Sequence, residues 1–149
     1  MRVRNATLDD RDALQRLYDE HFAFVHSADR RVRRQTKIDW SDRWDGAVWV
    51  GVVDRRVVGY VSGWLRDDVE WGPTVWVDHM ALDAHHPYPG LGRLMIDTIR
   101  AKASRFECRW IVADVPRASP IEQAFWLALG AHRVNRRGAP GCDVMRLAI

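Results

Sequence analysis

The stretch from Trp76 to Arg105 constrains this chain more than any other. It opens on Trp76-Val77-Asp78-His79-Met80-Ala81-Leu82, a mainly apolar run of strand length. Asp83-Ala84-His85-His86-Pro87-Tyr88-Pro89 follows, and two prolines so close together exclude both a helix interior and a central strand. Gly90-Leu91-Gly92-Arg93 then leads into apolar residues at Leu94, Met95, Thr98, Ile99, Ala103 and Phe106, one face of a helix of about four turns. A strand that delivers a glycine-containing turn onto a helix N-terminus builds a place for an anion. The first amides of a helix have no internal acceptor, the dipole is positive there, and glycine allows an oxygen ligand close to the backbone.

Three phosphate-binding patterns are tested by this turn. A P-loop requires Gly-Lys-Ser/Thr, and Gly92 is followed by Arg93-Leu94. A dinucleotide fingerprint requires a third glycine where Met95 stands. Asp114 lies at a suitable distance for a ribose-binding acid, but the 35 residues after it are too few for the rest of a doubly wound sheet. The third pattern fits. Strand, acid, loop, Gly-x-Gly and long helix resemble the acyl-CoA motif of the GNAT superfamily of N-acetyltransferases, Arg/Gln-x-x-Gly-x-Gly/Ala at the helix start. Pro87 stands at the Arg/Gln position, and Pro89 precedes the first glycine. Neither has an N–H to donate, whereas Tyr88, Gly90, Leu91, Gly92 and Arg93 keep theirs.

The rest of the chain follows in the order that this resemblance implies. Val3 to Ala6 predicts a strand, and Thr7-Leu8-Asp9-Asp10 a capped helix start continued by Leu14, Leu17, Tyr18, His21 and Phe22. Trp40 and Trp44, four apart, predict a second short helix. Val48–Val53 and Val57–Leu65 predict a hairpin around Asp54-Arg55, with a small face at Val57, Gly59, Val61 and Gly63 against which a helix can pack closely. Residues 67–73 read as a loop. Arg109–Val115 predicts a buried strand, and Ser119-Pro120 caps a helix from Ile121 to Leu129 that stops at Gly130. Residues 131–136 and 142–148 predict a closing strand pair. The expected fold is therefore a single α/β domain over residues 1–149, of the GNAT type. Its mixed, mostly antiparallel sheet follows the order β-α-α-β-β-β-α-β-α-β-β, with helices on both faces.

The resemblance also implies chemistry. Acetyl-CoA is the expected co-substrate, held by the amides of Tyr88, Gly90, Leu91, Gly92 and Arg93, with the Arg93 side chain a phosphate candidate. Met80, Ala81 and Leu82 offer a strand edge to the pantetheine arm, and Asp78 is placed to remove the amine proton. Ser119 and Trp126 align with the family's Asn and Tyr on the following helix. An indole donates a hydrogen bond but is no acid, so either solvent or another residue such as Tyr60 protonates the departing thiolate, or catalysis is weak. His79 reads as packing or surface, and His85 and His86 as solvated loop residues. The expected acceptor is the amine of a small molecule or peptide, and the alternative is a non-catalytic acyl-CoA-binding domain.

Composition bounds these readings. Net charge of +3 and a pI near 9.2 permit an anionic ligand without demanding nucleic acid. The basic cluster Arg30-Arg31-x-Arg33-Arg34 forms no recognition helix or zinc finger. Cys108 and Cys142 have neither a disulfide framework nor metal-ligand spacing, so they read as reduced thiols and no metal is expected. No apolar run reaches the length of a membrane span and the N-terminus is no signal peptide, which predicts a cytoplasmic protein with no membrane partner. A homodimer is compatible with the sequence and not required by it.

Overall fold

The computed structural model of the chain describes residues 1–25, 46–85 and 87–149. The expected Trp40/Trp44 helix, the Arg30–Arg34 cluster and His86 lie outside the described residues. Strand β1 (Arg2–Asn5) leads through a 3-10 turn at Leu8–Asp10 into α1 (Arg11–Val25). Three strands follow: β2 (Gly46–Val53), β3 (Arg56–Asp68) and β4 (Gly72–Leu82). Then come α2 (Leu91–Ser104), β5 (Trp110–Pro116), α3 (Pro120–Ala128), β6 (His132–Arg137) and β7 (Cys142–Ala148). The seven strands form one sheet in the order β1-β2-β3-β4-β5-β7-β6. The β4–β5 pairing is parallel, and the other five are antiparallel.

Both faces of the sheet are covered, and β2 shows why. Ala47 and Trp49 join the core under α2, while Val48, Val50 and Val52 join the core under α1. This is the two-residue alternation of a strand buried on both sides. Helix α1 contributes Leu14, Leu17 and Tyr18. Helix α2 contributes Leu91, Met95, Ile96, Ile99 and Ala103, so its buried stripe is rotated from the expected one, and Phe106 lies exposed beyond its end. The small face of the hairpin is used only in part as predicted: Val61 and the space at Gly59 face the core under α2, whereas Val57 packs with the core under α1. A Cβ on Gly51 would lie 2.7 Å from Leu91 Cδ1, and one on Gly59 would lie 2.8 Å from Leu82 Cδ2. The first residue of α2 thus seats directly on the sheet.

Local chemistry sets most boundaries. Asp54 and Arg55 both have positive φ, the geometry of a two-residue hairpin whose twist matches its strands. The expected loop at 67–73 is instead a tight hairpin. The Asp68 carboxylate accepts the Glu70 and Trp71 amides at 2.9 and 3.0 Å, which closes the turn and lets β3 and β4 pair out to Asp68 and Gly72. The polar run Arg66-Asp67-Asp68 reads as loop only because those residues end a strand at the solvent edge. At the N-terminus the Thr7 amide donates to Asp10 Oδ2 at 2.8 Å, and Arg4 grips the same carboxylate with two nitrogens at 2.7 and 2.9 Å.

Candidate active site

The site begins where two parallel strands part. β4 and β5 pair from Thr74 with Trp110 to Val77 with Ala113, and no further. Beyond that point β4 stays with β3, with Met80, Ala81 and Leu82 opposite Val61, Tyr60 and Gly59. β5 stays with β7 as far as Pro116. Each strand is held by its outer neighbour, so the inner edges of Met80–Leu82 and Asp114–Pro116 diverge and leave ladder groups without a strand partner. A bulge accompanies the fork: His79 faces Ser62 and Val77 faces Gly63, which makes Asp78 the extra residue. Bulges redirect a side chain, and Asp78 is exposed.

Helix α3 lies across the opening. Ser119 is its N-cap, accepting the Glu122 amide at 3.3 Å, with Pro120 in the first turn as the sequence predicts. Gln123 anchors the helix to β5 by donating to the Val115 and Pro116 carbonyls at 3.2 Å. On one side of the fork is a cavity of about 490 Å³ whose walls include Met80, Leu82, Pro87, Ser119, Phe125 and Trp126. On the other is a cavity of about 500 Å³ walled by Trp64, Trp76, Asp78, His79 and Asp114 among others. His21, Met80, Glu122 and Trp126 line both.

The loop between β4 and α2 is tied down by Asp83, whose buried carboxylate accepts the His85 amide at 2.9 Å and lies 3.8 Å from Arg16. Gly90, with φ of 84°, is the residue before α2, a left-handed conformation that only glycine adopts without strain. The Leu91 amide donates to the Tyr88 carbonyl at 3.1 Å and Leu94 to Gly90 at 2.9 Å. The Leu91 amide is therefore committed inside the turn, which lowers the expected set of five donors. Gly92 and Arg93 stand between these bonds, in the turn where a helix offers no internal acceptor. The Arg93 guanidinium is exposed and donates to the Ala128 carbonyl at 3.1 Å, at the C-terminal end of α3. A Cβ on Gly92 would meet Phe125 Cε2 at 2.7 Å. This glycine is thus required by the packing of α3 on α2, whatever else approaches it.

Several site residues escape sequence reasoning. His79 is half-buried, with Nδ1 3.1 Å from Tyr60 Oη and its ring 4.6 Å from that of Tyr18. Tyr60 is fully buried, and burial pushes its phenol far above the usual tyrosine range, so it is no practical acid for a departing thiolate. Asp114 is half-buried on the fork wall. Desolvation raises its carboxyl, against the opposing effects of the Ala139 amide at 3.3 Å and the Arg66 charge. His21 Nε2 lies 3.3 Å from Glu122 Oε1. His21 and Glu122 are far apart in sequence and fit the helical patterns of their own segments, so nothing local marks them. Among the described residues no group of three or more His, Cys, Asp or Glu is arranged to hold a metal ion.

The sequence profile of the Acetyltransferase (GNAT) family matches residues 11–131. The chain belongs to this family. Solved structures share the fold of this GNAT chain at low identity. PaiA N-acetyltransferase of Thermoplasma acidophilum, in complex with coenzyme A, superposes with a TM-score of 0.78 at 9% identity over 99% of this chain and 98% of its own. A GNAT acetyltransferase of Staphylococcus aureus Mu50 gives 0.80 at 11% identity, with the same two coverages. The ribosomal-protein-alanine N-acetyltransferase of Brucella melitensis gives 0.72 at 16% identity over the whole of both chains. A probable N-acetyltransferase 14 of Danio rerio is 31% identical over 87 residues, 57% of this chain. The chain spans 29% of the length of that relative.

Proposed function

We propose that this GNAT chain transfers the acetyl group of acetyl-CoA to a primary amine of a small molecule or peptide. The observation that carries the reading is the β4–β5 fork, with a cavity on each side and a common set of side chains between them. Two substrates that must exchange a group need separate entrances and one meeting place.

Bound acetyl-CoA supplies the activated acyl carbon. The backbone edge of Met80, Ala81 and Leu82 has the groups to bind an extended, amide-bearing arm as an added strand. The Gly92 and Arg93 amides, at the positive end of α2, suit a pyrophosphate, with the turn at Tyr88 and Gly90 shaping the approach and Leu91 anchoring it to the sheet. The Arg93 side chain can exchange its Ala128 carbonyl for a phosphate oxygen. Ser119 and Trp126 form the α3 wall. Asp78 faces only the second cavity, where an amine would enter, and there it takes the proton that the amine must lose.

The same reading includes one acyltransferase domain over residues 1–149, working in the cytoplasm on an amine, without nucleic acid or membrane as partner. Among the described residues no helix is long and apolar enough to cross a membrane. Nothing in the fold or the relatives favours the non-catalytic alternative. The test is thiol release from acetyl-CoA in the presence of a panel of primary amines, with CoA binding followed by calorimetry. Amine-dependent release is expected. Micromolar CoA binding with no release across alkyl, aryl and peptide amines would overturn the catalytic reading, and absence of CoA binding would overturn the donor.

A further inference from the structure

Among the described residues, four side chains line both cavities: His21, Met80, Glu122 and Trp126. Given the proposed reaction, on which this inference rests, a group that delivers a proton to the leaving sulfur must belong to that shared set. The Met80 thioether has no proton to give, and the Trp126 indole is a donor but not an acid. Glu122 stands 3.3 Å from His21 Nε2, and a carboxylate that faces an imidazolium keeps its charge and only accepts. His21 remains, and imidazole is the side chain that exchanges protons near neutral pH. Its position is set by tertiary contacts. Nε2 lies 3.3 Å from Glu122 Oε1, and the two side chains are 13% and 21% exposed. Among the described residues, the titratable groups around it include His79 of β4, at 6.2 Å between ring centroids, Tyr18 of α1, itself packed on His79, and Asp83, which lines the first cavity with it. Asp78 of β4, Asp114 of β5 and Arg66 of β3 face the second cavity beyond them.

We propose that His21, oriented by Glu122, is the acid that protonates the departing thiolate, replacing the phenol that Trp126 displaces. The amine nitrogen bonds to the thioester carbonyl carbon, the carbon–sulfur bond breaks, and its electron pair leaves on sulfur. The His21 imidazolium gives sulfur its proton and forms the thiol. The surplus proton on nitrogen passes to Asp78 and on to solvent, and His21 is recharged from solvent. The net change is thioester and amine to amide and thiol. Glu122 acts through His21 and is a positioning residue.

The first experiment uses the wild-type protein with 15N-labelled histidine and compares the His21 ring resonances by NMR with CoA and with desulfo-CoA, which lacks the sulfur. Both should bind with affinities within about threefold by calorimetry. CoA should displace the His21 ring resonances relative to desulfo-CoA, because only CoA brings a sulfur within hydrogen-bond reach of the imidazole. In turnover, His21→Asn should lower kcat by roughly a hundredfold or more. It should keep acetyl-CoA affinity and abolish the fall in kcat at alkaline pH, where a required acid loses its proton. Glu122→Gln should give a smaller loss with the alkaline limb displaced. Identical His21 ring resonances with the two bound ligands, or a His21→Asn enzyme within threefold of wild-type kcat, would overturn the proposal while leaving the CoA site standing. Failure of both ligands to bind would remove the CoA reading, and this inference with it.

Discussion

Asp78 and Asp114 each follow the last paired residue of their strand, Val77 and Ala113, so the two carboxylates stand one on each arm of the fork where β4 and β5 part. They differ in environment. Asp78 is the exposed residue of a bulge, whereas Asp114 is half-buried and receives the Ala139 amide. Asp78→Asn should lower kcat/KM for amine acetylation by about a hundredfold, with CoA affinity preserved, as expected for loss of a general base. A pH–rate profile unchanged in that variant would return Asp78 to a purely structural role.

Asp114 yields a stability prediction of opposite sign to the usual carboxylate. Its folded-state pKa is raised by desolvation. The contribution to stability is therefore present below the unfolded value of about 3.9 and is lost as pH rises through the folded value. Asp114→Asn keeps an oxygen for the Ala139 amide and removes a half-buried charge. The variant should be at least as stable as wild type at pH 7, and that relation should disappear below about pH 4. Urea denaturation at the two pH values measures it, and a marked loss of stability at pH 7 would contradict the assignment.

Asp10 behaves the other way. The hydrogen bonds from Arg4 lower its pKa most, burial opposes them, and the Thr7 amide adds to the lowering. Its stabilisation is present above the unfolded value and is lost as pH falls through the folded one. Asp10→Asn should cost about 1–2 kcal/mol at pH 7, a figure discounted because Arg4 is about one-third exposed. The difference from wild type should close in acid. A constant difference from pH 7 to pH 2 would show that the ion pair is not its source.

The two glycines of the turn should separate in their effects. Gly90→Ala forces a left-handed φ of 84° on a side chain, with open space around the new methyl. The expected cost is about 1–2 kcal/mol, with CoA binding weakened through the altered turn. Gly92→Val instead drives side-chain atoms into Phe125. It should lower thermal stability and displace α3, so loss of CoA binding in that variant reports packing as well as ligand approach. Calorimetry on Gly90→Ala, with melting curves on both, distinguishes them. Unchanged CoA affinity in a folded Gly90→Ala protein would argue against the anion site.

Trp126 is 4% exposed, meets Phe125 edge to face at 5.6 Å, and stands between the two cavities. As an apolar wall with one donor, its replacement by phenylalanine should change kcat by less than about tenfold, against the ~10²–10⁴ lost with a true general acid. A thousandfold fall with normal acetyl-CoA binding would mean that the indole N–H stabilises the transition state directly.

What the sequence by itself determined was local. The turn at Asp54-Arg55, the Ser119-Pro120 cap and the Gly90 turn onto α2 are each specified within a few residues, by φ preference or capping chemistry. Their order was enough to recognise the family and to place Asp78 on the strand that feeds the Gly90 turn. The tertiary structure alone decided where the sheet divides, because the β4–β5 fork depends on each strand being held by a different outer neighbour. It also decided that Gly92 is claimed by Phe125 and that Arg93 reaches the end of α3. The meeting of His21 with Glu122 is of the same kind. Neither residue carries a local signature, since a helical position constrains the face a side chain occupies and says nothing of what the rest of the chain will bring against it.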